Sequence, residues 1–234
     1  MKLRIKYAKT GRLKFIGHLD VMRYFQKAIR RAGLDVAYSQ GFNPHQLITF
    51  AAPLGLGVTS EGEYFDGEFH SATTTEDMVN RLNAVMAEDM RVLDVRLLPD
   101  KAKTAMAVVS ASDYLVSVRS GYYATETDRL FGHFQDFLEQ KQIEIIKKTK
   151  KSEQLTDIRG MILEAHISAA QSFYMKLATG SIANLKPELV MEAYCNFLGI
   201  SYDPFGFQVH RLETYMDGEQ GELISLAAAG DILA

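Results

Sequence analysis

The sequence predicts an α+β protein built of two ferredoxin-like modules in tandem, residues 1–99 and 100–234. Three observations predict it. The first hundred residues read strand, helix, strands, helix, strand, which is the split βαβ order. The second half repeats that order without evident sequence identity. Finally, 47% hydrophobic and 24% charged residues over 234 positions are enough to form sizeable cores.

The opening segment "KLRIKYAK" alternates Leu3, Ile5 and Tyr7 with Lys2, Arg4 and Lys6. That period of two predicts a half-buried strand with one apolar face and one outward cationic face. "HLDVMRYFQKAIRRAGL" then places Met22, Phe25, Ile29 and Ala32 at helical spacing. Asp20 suits the positive N-terminal end of that helix and Gly33 its C-cap, while Arg23, Lys27, Arg30 and Arg31 fall on the opposite face. Short strands are expected over 35–39, 46–52 and 62–69. "TEDMVNRLNAVMA" reads as a second helix with Thr75 as N-cap, and "RVLDVRLLP" as a strand closed by Pro99.

Residues 100–112 read as a connector with a short helical turn. In the second half, "DYLVSVR" is expected as a strand and "TETDRLFGHFQDFLEQ" as one helix. Strands follow over 142–149, 155–168 and 171–178. "KPELVMEAYCNFLGI" is a helix with Pro187 in its first turn and Gly199 at its end, and "FQVHRLETYM" a last strand with Arg211, Glu213 and Tyr215 on an ion-paired, exposed face. The apolar tail "LISLAAAGDILA" is assigned packing or a frayed end.

The net charge of -3 hides an asymmetry. Residues 1–31 carry ten Lys or Arg against Asp20 alone, so this segment is +9 and the remaining 203 residues are -12. Such polarity points to an anionic partner at the N-terminal end. Cys195 is the only cysteine, which excludes an internal disulfide, a cysteine-ligated iron-sulfur cluster and a four-cysteine zinc site made by this chain alone. No apolar run reaches the ~18 residues of a spanning helix, so a cytoplasmic protein without membrane contact is expected. No cofactor is expected of the chain itself.

Clustered Lys and Arg with interleaved aromatics form the footprint of a nucleic-acid surface. The candidate nucleic-acid-binding residues are Lys9, Arg12, Lys14, Arg23, Lys27, Arg30, Arg31, Tyr38, Phe42, Asn43, His45 and Gln46. In "YSQGFNPHQ", Gly41 permits positive φ and Asn43-Pro44 favours a turn. Tyr38 or Phe42 is then placed to stack a base, and Asn43, His45 or Gln46 to bond its edge. A hairpin loop covering the core edge explains the same residues as well. His18 and His45 are the candidate acid and base of an alternative catalytic reading, and His18, Asp20 and His45 the ligands of an alternative metal reading. "GLGVTS" is not a phosphate loop, because a strand and not a helix is expected after it.

The stretch from "RIKYAKTGRLKFIGHLD" through "YSQGFNPHQLITF" to "GEYFDGEF" resembles the radical-SAM-linked protein family, also called DUF2344. The resemblance rests on Phe15, His18, Leu19 and Asp20, on Ala28, Arg30, Arg31 and Ala32, and on Tyr38 to His45. Gly17 stands where the family commonly has Ser, and Gln46 where Pro is common. Members are typically encoded beside, or fused to, a radical SAM protein. The resemblance implies a radical SAM enzyme as partner and a role in RNA or ribosome modification. The expected function is a non-catalytic RNA-binding or substrate-presenting partner of that enzyme. The alternatives are a metal-independent RNA-processing enzyme and an adaptor docking an acidic protein.

Overall fold

The computed structural model describes residues 1–148, 153–169 and 171–234. They form two units, one of Met1–Ser110 with Arg211–Ala234 and one of Ala111–His210. The final strand and tail, read from sequence as part of the second module, therefore belong mainly to the first unit. Six α-helical segments and twelve strands make the chain a mixed α and β protein among the described residues. None of these helices is long and apolar enough to cross a membrane.

In the first unit, β1 (Lys2–Lys9) lies between β3 (Thr59–Glu68) and β4 (Met90–Leu98), antiparallel to both. The three-residue β2 (Ile48–Phe50) also pairs with β3, and the sheet order runs β4–β1–β3. Leu3, Ile5 and Tyr7 point to one face as the alternation requires. There they meet Val21, Phe25, Ala28 and Ile29 of α1 (His18–Arg31) and Met78 and Leu82 of α2 (Thr75–Asn83). Phe25 sits at the centre, 4.6 Å from the Tyr7 ring and 4.8 Å from the Phe65 ring. Aromatic pairs at such separations add to the burial term.

The opposite face of β1 departs from the sequence expectation. Arg4 opposes Asp66 in the register and is 1% exposed. Its guanidinium binds both Asp66 oxygens at 2.8 and 3.1 Å and the carbonyls of Leu226 and Lys103. Lys6 pairs with Glu213 at 2.8 Å, and the neighbouring Arg211 with Glu63 at 2.9 Å. The strand is thus covered on both sides, and Arg4 and Lys6 are neutralised internally. Arg211 and Glu213 are ion-paired as expected, but Arg211 is buried and Glu213 half-buried, so the face is not an exposed one.

The C-terminal tail supplies the cover. Leu226 is fully buried with Ala51, Tyr64 and Ala105, the last from the short α3 (Ala105–Val108). The strands near Leu223–Ser225 and Asp231–Ile232 pair with Tyr215–Asp217 and with β4. This segment is built in, not frayed. Thr74 and not Thr75 caps α2, its hydroxyl accepting from the Asp77 amide, while the Thr75 hydroxyl donates to the Val95 carbonyl at 2.7 Å.

In the second unit the sheet order is β10–β5–β9–β8, with β5 (Val109–Val118) entering from Ala111 and β10 (Phe207–Asp217) leaving after His210. Between them lie β8 (Ile162–Ile167) and β9 (Phe173–Ala178), antiparallel to each other. The single helix expected over 125–140 is two, α4 (Thr127–Gly132) and α5 (Phe134–Leu138). Gly132 weakens the helix there, and the Tyr194 hydroxyl donates to the Leu130 carbonyl at 2.7 Å, occupying an acceptor that helix continuation would otherwise use.

The strand expected over 155–168 is also divided. Asp157 accepts from the Arg159 and Ile143 amides, turning the chain between β7 (Glu153–Asp157) and β8. A separate two-stranded ribbon joins β6 (Glu144–Lys148) to β7. Residue 149, the end of the strand expected over 142–149, lies outside the described residues. The last helix, α6 (Pro187–Leu198), has Pro in its first turn and Gly199 at φ 65 as its left-handed cap, as its sequence predicts.

Candidate nucleic-acid interface

Helix α1 has the amphipathic pattern that fixes its orientation. Val21, Phe25, Ala28 and Ile29 face the core, so Arg23, Lys27, Arg30 and Arg31 must emerge on the other side. Arg23 and Arg31 are exposed there. Gly17 provides the N-cap position with no side-chain hydrogen bond, as expected where Ser is lacking. At the other end Gly33 has φ 64. Its amide donates to the Arg30 carbonyl and the Leu34 amide to the Ile29 carbonyl, which closes the helix in a Schellman motif. Arg23 has one exposed contact, Asp20 at 3.5 Å. Among the described residues no carboxylate pairs with Lys27, Arg30 or Arg31.

The turn after α1 brings the chain back across this cationic face. Val36 and Tyr38 make isolated bridges to Phe69 and Gln46 in place of the strand expected over 35–39. The loop neck is closed three times between two residues: the Ser39 amide donates to the His45 carbonyl, the His45 amide donates to Ser39 Oγ, and that hydroxyl lies 2.8 Å from His45 Nδ1. Gly41 takes φ 113, which a side chain would strain. Phe42 and Asn43 are presented to solvent at the tip.

Together these elements line one groove of about 310 Å³. Its walls are Arg23, Lys27 and Arg30 on one side and Tyr38, Pro44 and His45 on the other, with Gln46 and Gln26 between them. Tyr38 is 45% exposed and so offers its ring. Gln46 is buried, its amide nitrogen donating to the Gln26 carbonyl at 3.1 Å and to the Tyr38 hydroxyl at 3.3 Å. The arrangement can take an anionic backbone along the helix and a flat, hydrogen-bonding group against the loop.

Not all the sequence candidates gather there. Lys9 is 2% exposed, and its amine donates to the Ile16 carbonyl at 2.9 Å, with burial pushing its pKa down. It braces the turn before α1 from beneath and is not part of an outward face. Arg12 is exposed but lies off the groove, and Lys14 sits 5.2 Å from the Phe15 ring. Arg31, Phe42 and Asn43 are solvent-facing outside the groove lining. Conversely, Gln26 is a lining residue that the sequence reading missed. Its spacing from Arg23 and Arg30, three back and four forward, was the available signal.

The two histidines part company. His18 lies edge-on to Phe50, with ring centres 5.6 Å apart, in a separate small cavity with Tyr7 and Lys9. His45 stands in the groove on Ser39. Among the described residues no group of three His, Cys, Asp or Glu side chains is placed to hold a metal ion, so His18, Asp20 and His45 do not assemble as ligands.

No curated protein matches the chain. Among solved structures, one described as "Crystal Structure of a Cbf5-Nop10-Gar1 Complex" is similar at 10% identity and a TM-score of 0.42, over 91% of this chain and 48% of that one. The chain thus spans about half the length of that relative, and at this score the likeness carries no argument. A family model described as "Uncharacterized protein conserved in bacteria (DUF2344)" matches residues 2–187, well over half the sequence. The chain therefore belongs to the DUF2344 family.

Proposed function

We propose that this protein is a non-catalytic RNA-binding module that holds a single strand in the groove between α1 and the 38–46 loop and presents it to a radical SAM enzyme. The observation that carries the reading is the convergence of Arg23, Lys27 and Arg30 with Tyr38, His45 and Gln46 on one groove. Phosphate-binding cations beside a stacking ring and base-edge groups are what single-stranded RNA recognition uses. The acid and base pair of the catalytic alternative is not supported, since His18 and His45 line different cavities, and a single-histidine mechanism is left to the cleavage test. The enzyme partner is carried over from the sequence resemblance, and the single cysteine leaves cluster chemistry to another chain. The strand orders β4–β1–β3–β2 and β10–β5–β9–β8 support the description of both units as ferredoxin-like.

Fluorescence anisotropy with the purified protein and an unstructured RNA tests this directly. Saturable binding that weakens steeply with salt is expected, with little affinity for duplex RNA. Salt-insensitive binding, or none, would turn the basic face into a protein-docking surface.

A further inference from the structure

A second cavity, of about 180 Å³, adjoins the groove, and His45 and Gln46 line both. Lys2 and Glu68, which also line it, stand two positions from Arg4 and Asp66 on their strands and so share their face of the sheet. The groove lies on the side of α1. His45 and Gln46, just ahead of β2, therefore have one cavity on either side of them.

Four side chains in the second cavity have hydrogen-bonding capacity to spare. Lys2 opposes Glu68 in the β1–β3 register, where an opposite-charge pair would ordinarily join. Here the Lys2 amine donates instead to the Ala102 carbonyl at 3.1 Å, and among the described residues nothing bonds the Glu68 carboxylate. An ammonium has three protons, so two of those on Lys2 remain available. Thr104 heads α3 without capping it, and among the described residues the Thr49 hydroxyl is also unbonded. Glu68 is exposed and Lys2, Thr49 and Thr104 are half-buried, so each keeps surface that a ligand can meet.

The balance of charge decides which part of a nucleotide fits. One cation faces one carboxylate, and Asp66 in the wall is already neutralised by Arg4. The Glu68 carboxylate repels phosphate, which the row of Arg23, Lys27 and Arg30 takes instead. Apart from the His45 imidazole, no ring lines the cavity to stack a base. Hydroxyls, a carboxylate and an ammonium suit a sugar, and a ribose 2′-hydroxyl both donates and accepts. Such a hydroxyl can bridge Glu68 and Lys2, completing the pair that the two strands leave open.

We propose that this cavity holds a ribose of the single strand bound in the groove, with Glu68 accepting from its 2′-hydroxyl and Lys2 donating to it, so that the site distinguishes RNA from DNA. This rests on the RNA-binding reading above and adds the sugar class to it. The strand then passes over His45 from the cationic groove to the neutral cavity.

The test uses the full chain and two uracil dodecamers that differ only in the sugar, ribose or 2′-deoxyribose. The ribose oligomer is expected to bind about ten-fold tighter, as suits a hydrogen bond to a charged group. Glu68→Ala, at an exposed position, should bring the two affinities together. Lys2→Met should narrow the same preference without lowering the salt slope, because Lys2 holds no phosphate. Equal, salt-sensitive affinity of the wild type for both oligomers would overturn the sugar assignment while leaving strand binding in the groove intact. A ribose preference that persists in Glu68→Ala would place the discrimination elsewhere and overturn it too. Failure of both oligomers to bind the wild type would remove the RNA-binding reading itself, and this inference with it.

Discussion

Replacing Arg23, Lys27 and Arg30 together with Ala removes every cation that lines the groove. Seven residues of helix separate the first from the last, so the row extends about 10 Å, room for consecutive phosphates of one strand. None of the three belongs to the buried face of α1, and Ala is the strongest helix former, so the helix should keep its fold. The ion pair between Arg23 and Asp20 is exposed at both ends, so its removal costs little. Each phosphate contact on a single strand adds about 0.7 to the slope of log affinity against log salt, so three contacts lower that slope by about 2. At about 0.1 M salt this corresponds to roughly a hundred-fold weaker binding. Arg31→Ala, on an exposed residue outside the groove, is the matched control and should change little. Anisotropy titrations across a salt series, with circular dichroism to confirm folding, give the answer. A folded triple variant with an unchanged slope would refute the assignment of this face.

Other expectations follow from neighbouring features. Labelled RNA incubated with the wild-type protein alone should remain intact; turnover that survives repurification and vanishes in His45→Ala would contradict the non-catalytic reading. If the proposed radical SAM partner co-purifies with the wild type, it should do so with the triple groove variant too, and simultaneous loss of enzyme and RNA would mean that both use the same face. Arg4→Ala leaves the Asp66 carboxylate buried without its ion pair and should cost about 3–5 kcal/mol in urea unfolding, whereas Arg4→Met with Asp66→Leu should recover most of it. Burial pushes the Cys195 thiol up to about 11, so it stays protonated in the native protein at about pH 8.5, where an ordinary thiol is half ionised. Alkylation at that pH should therefore be slow until urea unfolds the chain. Because the folded pKa is the raised one, this thiol's contribution to stability is present below the unfolded pKa and is lost as pH climbs toward the folded value.

The local patterns were legible, and the long-range pairings were not. Helix α1, its glycine stop and the loop from Tyr38 to His45 follow from spacing and turn chemistry within a few residues. The fate of the β1 cations does not. Asp66 and Glu213, which neutralise Arg4 and Lys6, lie 62 and 207 positions away in sequence, and alternation alone cannot distinguish a solvated basic face from one roofed by a distant tail. Lys9 was misplaced for a related reason, since its acceptor is the backbone carbonyl of Ile16, which leaves no side-chain signature. The division of the helix at Gly132 depends on the Tyr194 hydroxyl, a tertiary contact from 64 residues downstream. In the groove, the charges and aromatics could be named from sequence, but not that Gln46 forms its floor, because that depends on the fold-back of residues 38–46 across α1.

Zero-length ultraviolet crosslinking of RNA to the full-length protein, mapped by mass spectrometry, tests the central claim most directly. The account predicts nucleotide adducts on Tyr38 or His45 and on peptides from α1 that contain Arg23 to Arg30. Adducts confined to residues 111–210, with the groove peptides unmodified, would contradict it.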